Sequence, residues 1–334
     1  MKLPRFRFVK IKSFRELFNE WIRYGSGANV VAGGTDLFPR MKYRLVKPEV
    51  VISLNGLERL KGINVDESGM ILIGALTTIH QVSNSEIIRK YAPSLCDATQ
   101  NIASNQIRRM GTIGGNICLE TRCLYFNQSH THQFIEPCFK RGGNKCYMVP
   151  KGKKCIAVHM ADTVPALISL GAQLVLRGKH GTKNIPLENF YTGDSIKPHI
   201  LHPYEIVESI SLNHYNGIQG SAYVKHTLRG GLEFGIVGIG VRLRLSNNSK
   251  RCSFAKIVIG CVSGGPLCAS DAEQVLMKNE LNNEIIKEAA KVAAESVSAY
   301  PHHGYSLQYI RDMIRVHVKK GIELALNRAT AQQY

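Results

Sequence analysis

The chain has 334 residues, of which 44% are hydrophobic, enough for two domains with a sizeable core. No apolar run reaches the roughly 18 residues of a membrane span, and Met1 to Phe6 lacks a signal-peptide apolar stretch, so a cytoplasmic protein without a membrane anchor is expected. Lys and Arg outnumber Asp and Glu by 43 to 25, giving a formal charge of +18. Such a surface attracts acidic partners, but without zinc-finger spacing, an RNP signature or a basic helix with interleaved aromatics, nucleic acid is not expected among them.

The spacing of Phe14, Leu17, Phe18, Trp21 and Ile22 predicts a helix from Ser13, a good N-cap, to Tyr24. Val30-Val31-Ala32 reads as a short strand that stops at Gly33-Gly34, and Val50 to Leu54 and Met70 to Ile73 as two more. Helical patterns follow at Ile79–Lys90 and Ser94–Ile102. A second glycine pair, Gly114-Gly115, stands beside β-branched residues that read as strand. Residues 119–155 lose all periodicity and read as an inserted loop, a feature that is usually functional inside a compact domain. Asp162 is a plausible N-cap for a helix through Leu170, with a strand next at Gln173–Leu176. Strands at Ile236–Leu245 and Phe254–Val262, then helices at Glu284–Tyr300 and Leu307–Ala329, predict a C-terminal α+β domain.

Ala32-Gly33-Gly34-Thr35-Asp36 and Thr112-Ile113-Gly114-Gly115-Asn116 share one design. Glycine lets the backbone take positive φ and approach a ligand closely. Successive N–H groups can then form a concave anion seat suited to a diphosphate. Neither segment is a GxGxxG or Walker motif, so the common nucleotide folds are not indicated.

Val30-Val31-Ala32-Gly33-Gly34-Thr35-Asp36-Leu37 together with Thr112-Ile113-Gly114-Gly115-Asn116-Ile117 resembles the FAD-binding subunits of the molybdenum hydroxylases, the xanthine dehydrogenase family. Ile73-Gly74-Ala75, Pro165-Ala166-Leu167, Phe190-Tyr191-Thr192-Gly193, Glu205-Ile206-Val207, Tyr223-Val224-Lys225-His226 and Tyr309-Ile310-Arg311 follow in the family's order. The resemblance implies an α+β chain. A two-subdomain FAD-binding region of the PCMH, or vanillyl-alcohol-oxidase, type would occupy residues 1–215, divided as 1–56 and 57–215. A C-terminal α+β domain like that of carbon monoxide dehydrogenase flavoproteins would occupy 216–334. It implies FAD contacts at residues 30–37 and 112–116, an acidic contact at Asp162, a lysine near the flavin at Lys225, and packing on the cofactor by Ile102 and Val207.

Five of the nine cysteines lie between Cys118 and Cys155. With no secretory signal expected, such a cluster reads as metal-binding or redox rather than as disulfides. Cys123, Cys138, Cys146 and Cys155 are 15, 8 and 9 positions apart; four thiolates complete a zinc site or an iron–sulfur cluster, and the spacing alone does not choose. Cys118 reads as a small apolar residue, and His130, His132 and His159 are further candidate ligands. From Arg122 to Lys154 the loop holds seven basic residues against Glu136 alone, a balance that suits an anionic cluster.

Within the family, such an insert resembles the flavin subunits of the 4-hydroxybenzoyl-CoA reductase branch. That implies a [4Fe–4S] cluster on the four cysteines, in an insert spanning 119–156. It also implies a small [2Fe–2S] partner subunit and a large molybdopterin partner, assembled as a dimer of heterotrimers. Reduced ferredoxin would be the electron donor, drawn to the basic surface, and no substrate chemistry would occur on this chain. Two alternatives stand beside it: the flavin subunit of an oxidising xanthine-dehydrogenase-like hydroxylase, and a zinc-stapled basic binding module.

Overall fold

A computed structural model describes residues 2–128, 136–213, 217–246, 251–277 and 279–331. Three sheets organise the chain. The first is parallel, with strands β1 (Arg7–Lys10), β2 (Ala28–Val31) and β3 (Val50–Ser53) in the order β1-β3-β2. Helix α1 (Phe14–Tyr24) begins at Ser13, whose hydroxyl accepts the Glu16 N–H at 3.2 Å, and buries Leu17 and Phe18 against this sheet. The short helix α2 (Leu37–Lys42) follows the first glycine pair and buries Met41.

The second sheet is antiparallel: β4 (Ile63–Val65), β5 (Ile71–Gly74), β6 (Gln173–Gly178), β7 (Gly181–Pro186) and β8 (Ile206–Leu212) in the order β4-β5-β8-β6-β7. Between β5 and β6 come α3 (Ile79–Ser83), α4 (Glu86–Tyr91), α5 (Pro93–Gln100), α6 (Asn105–Met110), α7 (Ile113–Ile117) and α8 (Thr163–Ser169). The single helix expected over Ile79–Lys90 is two. The Asn84 side chain donates back to the His80 carbonyl at 2.8 Å and closes α3, while the Ser85 hydroxyl accepts the Ile88 N–H at 3.3 Å and opens α4.

The strand expected at the second glycine pair is also overturned. Residues 113–117 form α7, capped by the Thr112 hydroxyl, which accepts the Gly115 N–H at 3.2 Å. Ile113 and Ile117, four apart, both point into the core beneath the second sheet. A one-turn helix and a strand are not distinguished by two β-branched residues at this spacing.

The third sheet is antiparallel, with β9 (Gln219–His226), β10 (Val237–Leu245), β11 (Cys252–Gly260) and β12 (Leu267–Cys268) in the order β12-β11-β10-β9. Helices α9 (Ser270–Met277), α10 (Asn283–Ser296) and α11 (Leu307–Ala331) cover one face. Helix α11 buries Ile310, Ile314, Val318, Ile322, Ala325 and Ala329, a stripe at helical spacing. Each fully buried isoleucine there contributes about 1.5–3 kcal/mol. Helix α8 packs on the opposite face, against β10 and β11. Arg328, at the end of α11, grips Asp97 of α5 with two hydrogen bonds of 2.6 and 3.0 Å, so the C-terminal unit is clasped to the middle one. No helix among the described residues is long and apolar enough to cross a membrane.

Candidate functional site

A deep cleft runs between the first sheet and the helices of the second unit. One wall is the loop from β2 into α2, with Val30, Val31, Ala32, Gly33, Gly34, Thr35, Asp36 and Leu37; the facing wall holds Thr112, Gly114, Gly115 and Asn116. Leu54, Leu60 and Leu76 line the apolar part, with Ile102 and Val207 beside them. Fourteen of the seventeen residues expected at the cofactor therefore share one cavity. Ile113, Asp162 and Lys225 do not line it.

The two glycine turns play different parts. Among the described residues, no hydrogen bond takes the N–H groups of Gly33, Gly34, Thr35 or Asp36, and Gly34 sits at φ +71°. The turn therefore leaves successive N–H groups open, the geometry an anion seat needs. In the second turn the N–H groups are occupied: Ile113 donates to Thr77, Gly114 to Ala75 and Asn116 to Thr112, each at 2.9 Å, and Gly115 to the Thr112 hydroxyl. The expectation of a second backbone seat is thus corrected. Gly114 is glycine because an added Cβ would lie 2.7 Å from that of Ala75. The second turn offers side chains and close packing instead.

Two arginines that sequence reasoning missed complete the charge of the cleft. Arg40 of α2 and Arg122 both line it. Arg122 hydrogen-bonds the Asp36 carboxylate, and Arg40 stands 3.7 Å from it. Burial lowers the pKa of both guanidiniums from their ordinary value. The Nε atoms of both are buried and unpaired among the described residues. Two cations share one carboxylate beside four free N–H groups, an arrangement that fits a diphosphate, whose oxygens take several donors at once. The cue in the sequence was the i, i+4 spacing of Asp36 and Arg40; Arg122 lies too far along the chain to be paired without the fold.

A family model for the FAD binding domain in molybdopterin dehydrogenase matches residues 4–213, and one for the CO dehydrogenase flavoprotein C-terminal domain matches residues 222–325. This chain belongs to the FAD-binding subunits of the molybdenum hydroxylase family. It is 27% identical over 292 residues to the nicotinate dehydrogenase FAD-subunit of Eubacterium barkeri, covering 87% of this chain and 86% of that one. It is 24% identical over 302 residues to the xanthine dehydrogenase FAD-binding subunit of Escherichia coli O157:H7, covering 90% of each. A solved chain of carbon monoxide dehydrogenase from Hydrogenophaga pseudoflava superposes with a TM-score of 0.80 at 26% identity, over 98% of this chain and 99% of that one. The expected α+β architecture, an FAD-binding region followed by a CO-dehydrogenase-flavoprotein-like domain, is the observed one.

Within this family fold, Asp162 and Lys225 are paired with each other. Lys225 Nζ donates to Asp162 Oδ2 at 3.0 Å and to the Asn101 carbonyl at 2.9 Å, and the Tyr223 hydroxyl donates to Asp162 Oδ1 at 2.7 Å. Both charged side chains are 5% exposed. Asp162 stands at the N-cap position of α8 but makes no capping hydrogen bond to it; Asn116 Oδ1 instead accepts the Thr163 backbone N–H at 3.4 Å and the Thr163 hydroxyl at 2.6 Å. The Asp162–Lys225 pair ties the start of α8 and the end of α5 to β9 of the third sheet, and neither side chain lines the cleft.

The insert carries a second hollow. Cys123, Cys138, Cys146 and Cys155 line it together, with Tyr125, Phe126, Tyr147 and Lys140 around them. Its backbone is held by a short 3-10 turn at Phe139–Arg141 and by bridges pairing Cys138 with Lys145 and Arg122 with Val158. Burial raises the thiol pKa of Cys123 and Cys155, and the Lys140 ammonium opposes the rise at Cys155. Among the described residues no three His, Cys, Asp or Glu side chains form a metal-ligand set, although all four thiols line the one hollow. Four thiols with no carboxylate among them are the donor set of a zinc or iron–sulfur centre. Cys118 lies apart, on the flavin cleft. His159 lies against Tyr191, with ring centroids 4.8 Å apart and the rings tilted, and does not line the hollow, and His130 and His132 lie outside the described residues. Arg122 lines the cleft and Cys123 lines the thiol hollow, so the two sites meet at adjacent residues.

Proposed function

We propose that this chain is the electron-transfer subunit of a molybdenum hydroxylase, holding FAD in the cleft and an iron–sulfur centre in the thiol hollow. The adjacency of Arg122 and Cys123, one in each site, carries this reading. The free N–H groups of residues 33–36 and the guanidiniums of Arg40 and Arg122 would hold the diphosphate. Leu54, Leu60, Leu76, Ile102 and Val207 would exclude water from the apolar part of the cofactor. Bound FAD would supply exchange of either one or two electrons. Cys123, Cys138, Cys146 and Cys155 would be the ligands of the second centre, a [4Fe–4S] cluster, with buried Phe126 and half-buried Tyr125 and Tyr147 beside it. The substrate would react elsewhere, on a molybdopterin partner chain reached through a [2Fe–2S] partner chain, in a dimer of heterotrimers.

The named relatives, nicotinate and xanthine dehydrogenases, favour an oxidising complex in which electrons leave through this chain. One observation favours the reverse current, a ferredoxin-driven 4-hydroxybenzoyl-CoA reductase: the four-cysteine hollow itself, an added one-electron centre suited to a one-electron donor. In that reading the basic surface steers the acidic donor, and its rate falls with added salt.

Anaerobic purification of the intact assembly tests the core of the proposal. FAD, iron and acid-labile sulfide are quantified together with zinc. The reading expects one FAD and about four irons per copy of this chain, with each of the Cys123, Cys138, Cys146 and Cys155 serine variants losing iron and Cys268→Ala keeping it. Zinc without sulfide would make the insert a staple and remove its redox role. Turnover with substrate and acceptor, and with reduced ferredoxin, then decides the direction.

A further inference from the structure

We infer that Lys140 is a positioning residue that fixes the charge balance of the four-cysteine centre and ties that centre to the flavin cleft. The inference rests on the proposed reading of the hollow as an iron–sulfur site. Lys140 lines the hollow, yet its side chain is only 4% exposed. Its ammonium donates to Thr121 Oγ1 at 2.6 Å, to the Ser195 carbonyl at 2.7 Å and to Glu120 Oε2 at 3.0 Å, and lies 5.1 Å from the Phe126 ring centroid. All three donor hydrogens of a lysine are thereby directed. The other lysine lining the hollow, Lys145, is exposed and pairs with the exposed Glu136 at 2.5 Å; solvent screens that pair.

Two acceptors of Lys140, Glu120 and Thr121, lie where the insert joins the flavin region, and the third, Ser195, lies in that region itself. Glu120 and Thr121 directly follow Leu119, which lines the cleft. The Thr121 hydroxyl also donates to the Ser195 carbonyl at 2.5 Å, and is fully buried. A lysine from one side of the thiol hollow is therefore locked onto the wall that separates it from the cofactor cleft. Histidines cannot substitute for this charge. Besides Glu120 and the Cys155 thiol, Lys140 acts on His159 and His199, and burial lowers the pKa of both rings, leaving them neutral. The two charges at the node are the Lys140 ammonium and the Glu120 carboxylate, with opposite effects on an anionic centre. A nearby cation stabilises the more negative, reduced state and raises the reduction potential; a nearby anion lowers it.

The experiment is an EPR-monitored redox titration of the intact, iron-loaded assembly with Lys140→Met, Lys140→Arg and Glu120→Gln variants. Lys140→Met is expected to shift the cluster midpoint to lower potential, Lys140→Arg to keep most of the wild-type value, and Glu120→Gln to shift it upward. The flavin midpoint should move less than the cluster midpoint in every case. Opposite signs for the lysine and glutamate variants are not produced by a loss of packing alone. An unchanged cluster midpoint in both Lys140→Met and Glu120→Gln, at wild-type iron and sulfide content, would overturn the inference while leaving the cluster in place. Wild-type protein without iron would overturn the cluster reading and this inference with it. Should Lys140→Met fail to load iron, Glu120→Gln alone decides by the sign of its shift.

Discussion

Gly33 and Met110 are packed so closely that a Cβ on Gly33 would lie 1.8 Å from the Met110 carbonyl oxygen. The first glycine turn thus presses directly on the end of α6, and this contact holds the two walls of the cleft together. Gly33→Ala cannot be accommodated by a side-chain adjustment, since the obstructing atom is backbone. The substitution should cost about 1–3 kcal/mol of stability and strip FAD from the purified assembly. Gly231→Ala, with no neighbour within 4 Å, is the control. Flavin absorbance per chain and thermal midpoints measure both; full flavin in Gly33→Ala would show that the walls can part without loss of the seat.

Arg122 and Asp36 make opposite contributions to an anionic ligand. Removing Arg122 deletes a cation and leaves the Asp36 carboxylate facing the free N–H groups. Arg122→Gln should weaken FAD binding at least tenfold, about 1.4 kcal/mol. Arg122→Lys should rescue it only partly, because a point charge does not reproduce the guanidinium fork. Asp36→Asn removes the carboxylate that both arginines share, leaves Arg122 on Asn127, and should leave affinity within a few-fold of wild type. Fluorescence titration of flavin-stripped assembly distinguishes the two; a larger loss in Asp36→Asn than in Arg122→Gln contradicts the assignment.

The Asp162–Lys225 pair is buried and hydrogen-bonded. Lys225→Met strands the carboxylate and should destabilise by about 3–5 kcal/mol. Asp162→Asn added to it should recover part of that loss, since an amide tolerates burial better than an unpaired charge. Urea unfolding of the single and double variants reads the coupling. Additive losses would mean that the two side chains do not interact in solution.

His159 supplies a pH dependence with a definite sign. Burial lowers its pKa to about 3, against about 6.5 in an unfolded chain. The folded state therefore favours the neutral ring. Its contribution to stability is fully present above the unfolded pKa and is lost as the pH falls from about 6.5 towards 3. His159→Phe keeps an aromatic ring beside Tyr191 and should flatten the decline of the thermal midpoint across that window. Parallel acid curves for variant and wild type would rule this role out.

Much of this was legible from residues near one another in the chain. Helices α1, α10 and α11 and the long strands of the third sheet followed from hydrophobic spacing, with boundaries moved by only a few residues. The cleft-lining run from Val30 to Leu37 followed from a strand ended by two glycines. The pattern failed where hydrogen bonds between side chain and backbone decide the outcome. Asn84 and Ser85 divide one apparent helix, and the Thr112 cap turns an apparent strand into α7. Asp162 does stand at the N-cap position of α8, but no local signal showed that its carboxylate turns to Lys225 while Asn116, 47 positions away, takes the Thr163 N–H.

Sequence by itself determined the family, the two glycine turns, the flavin-binding architecture and the presence of four cysteines in an aperiodic insert, because each is a matter of residue type and short-range order. Tertiary structure alone decided which glycine turn leaves its N–H groups free, that Arg40 and Arg122 join Asp36 in the cleft, and that Lys140 is locked between thiols and flavin wall. Those outcomes depend on hydrogen bonds and buried charges between distant segments, and their partners are chosen only when the chain has closed and water has been excluded.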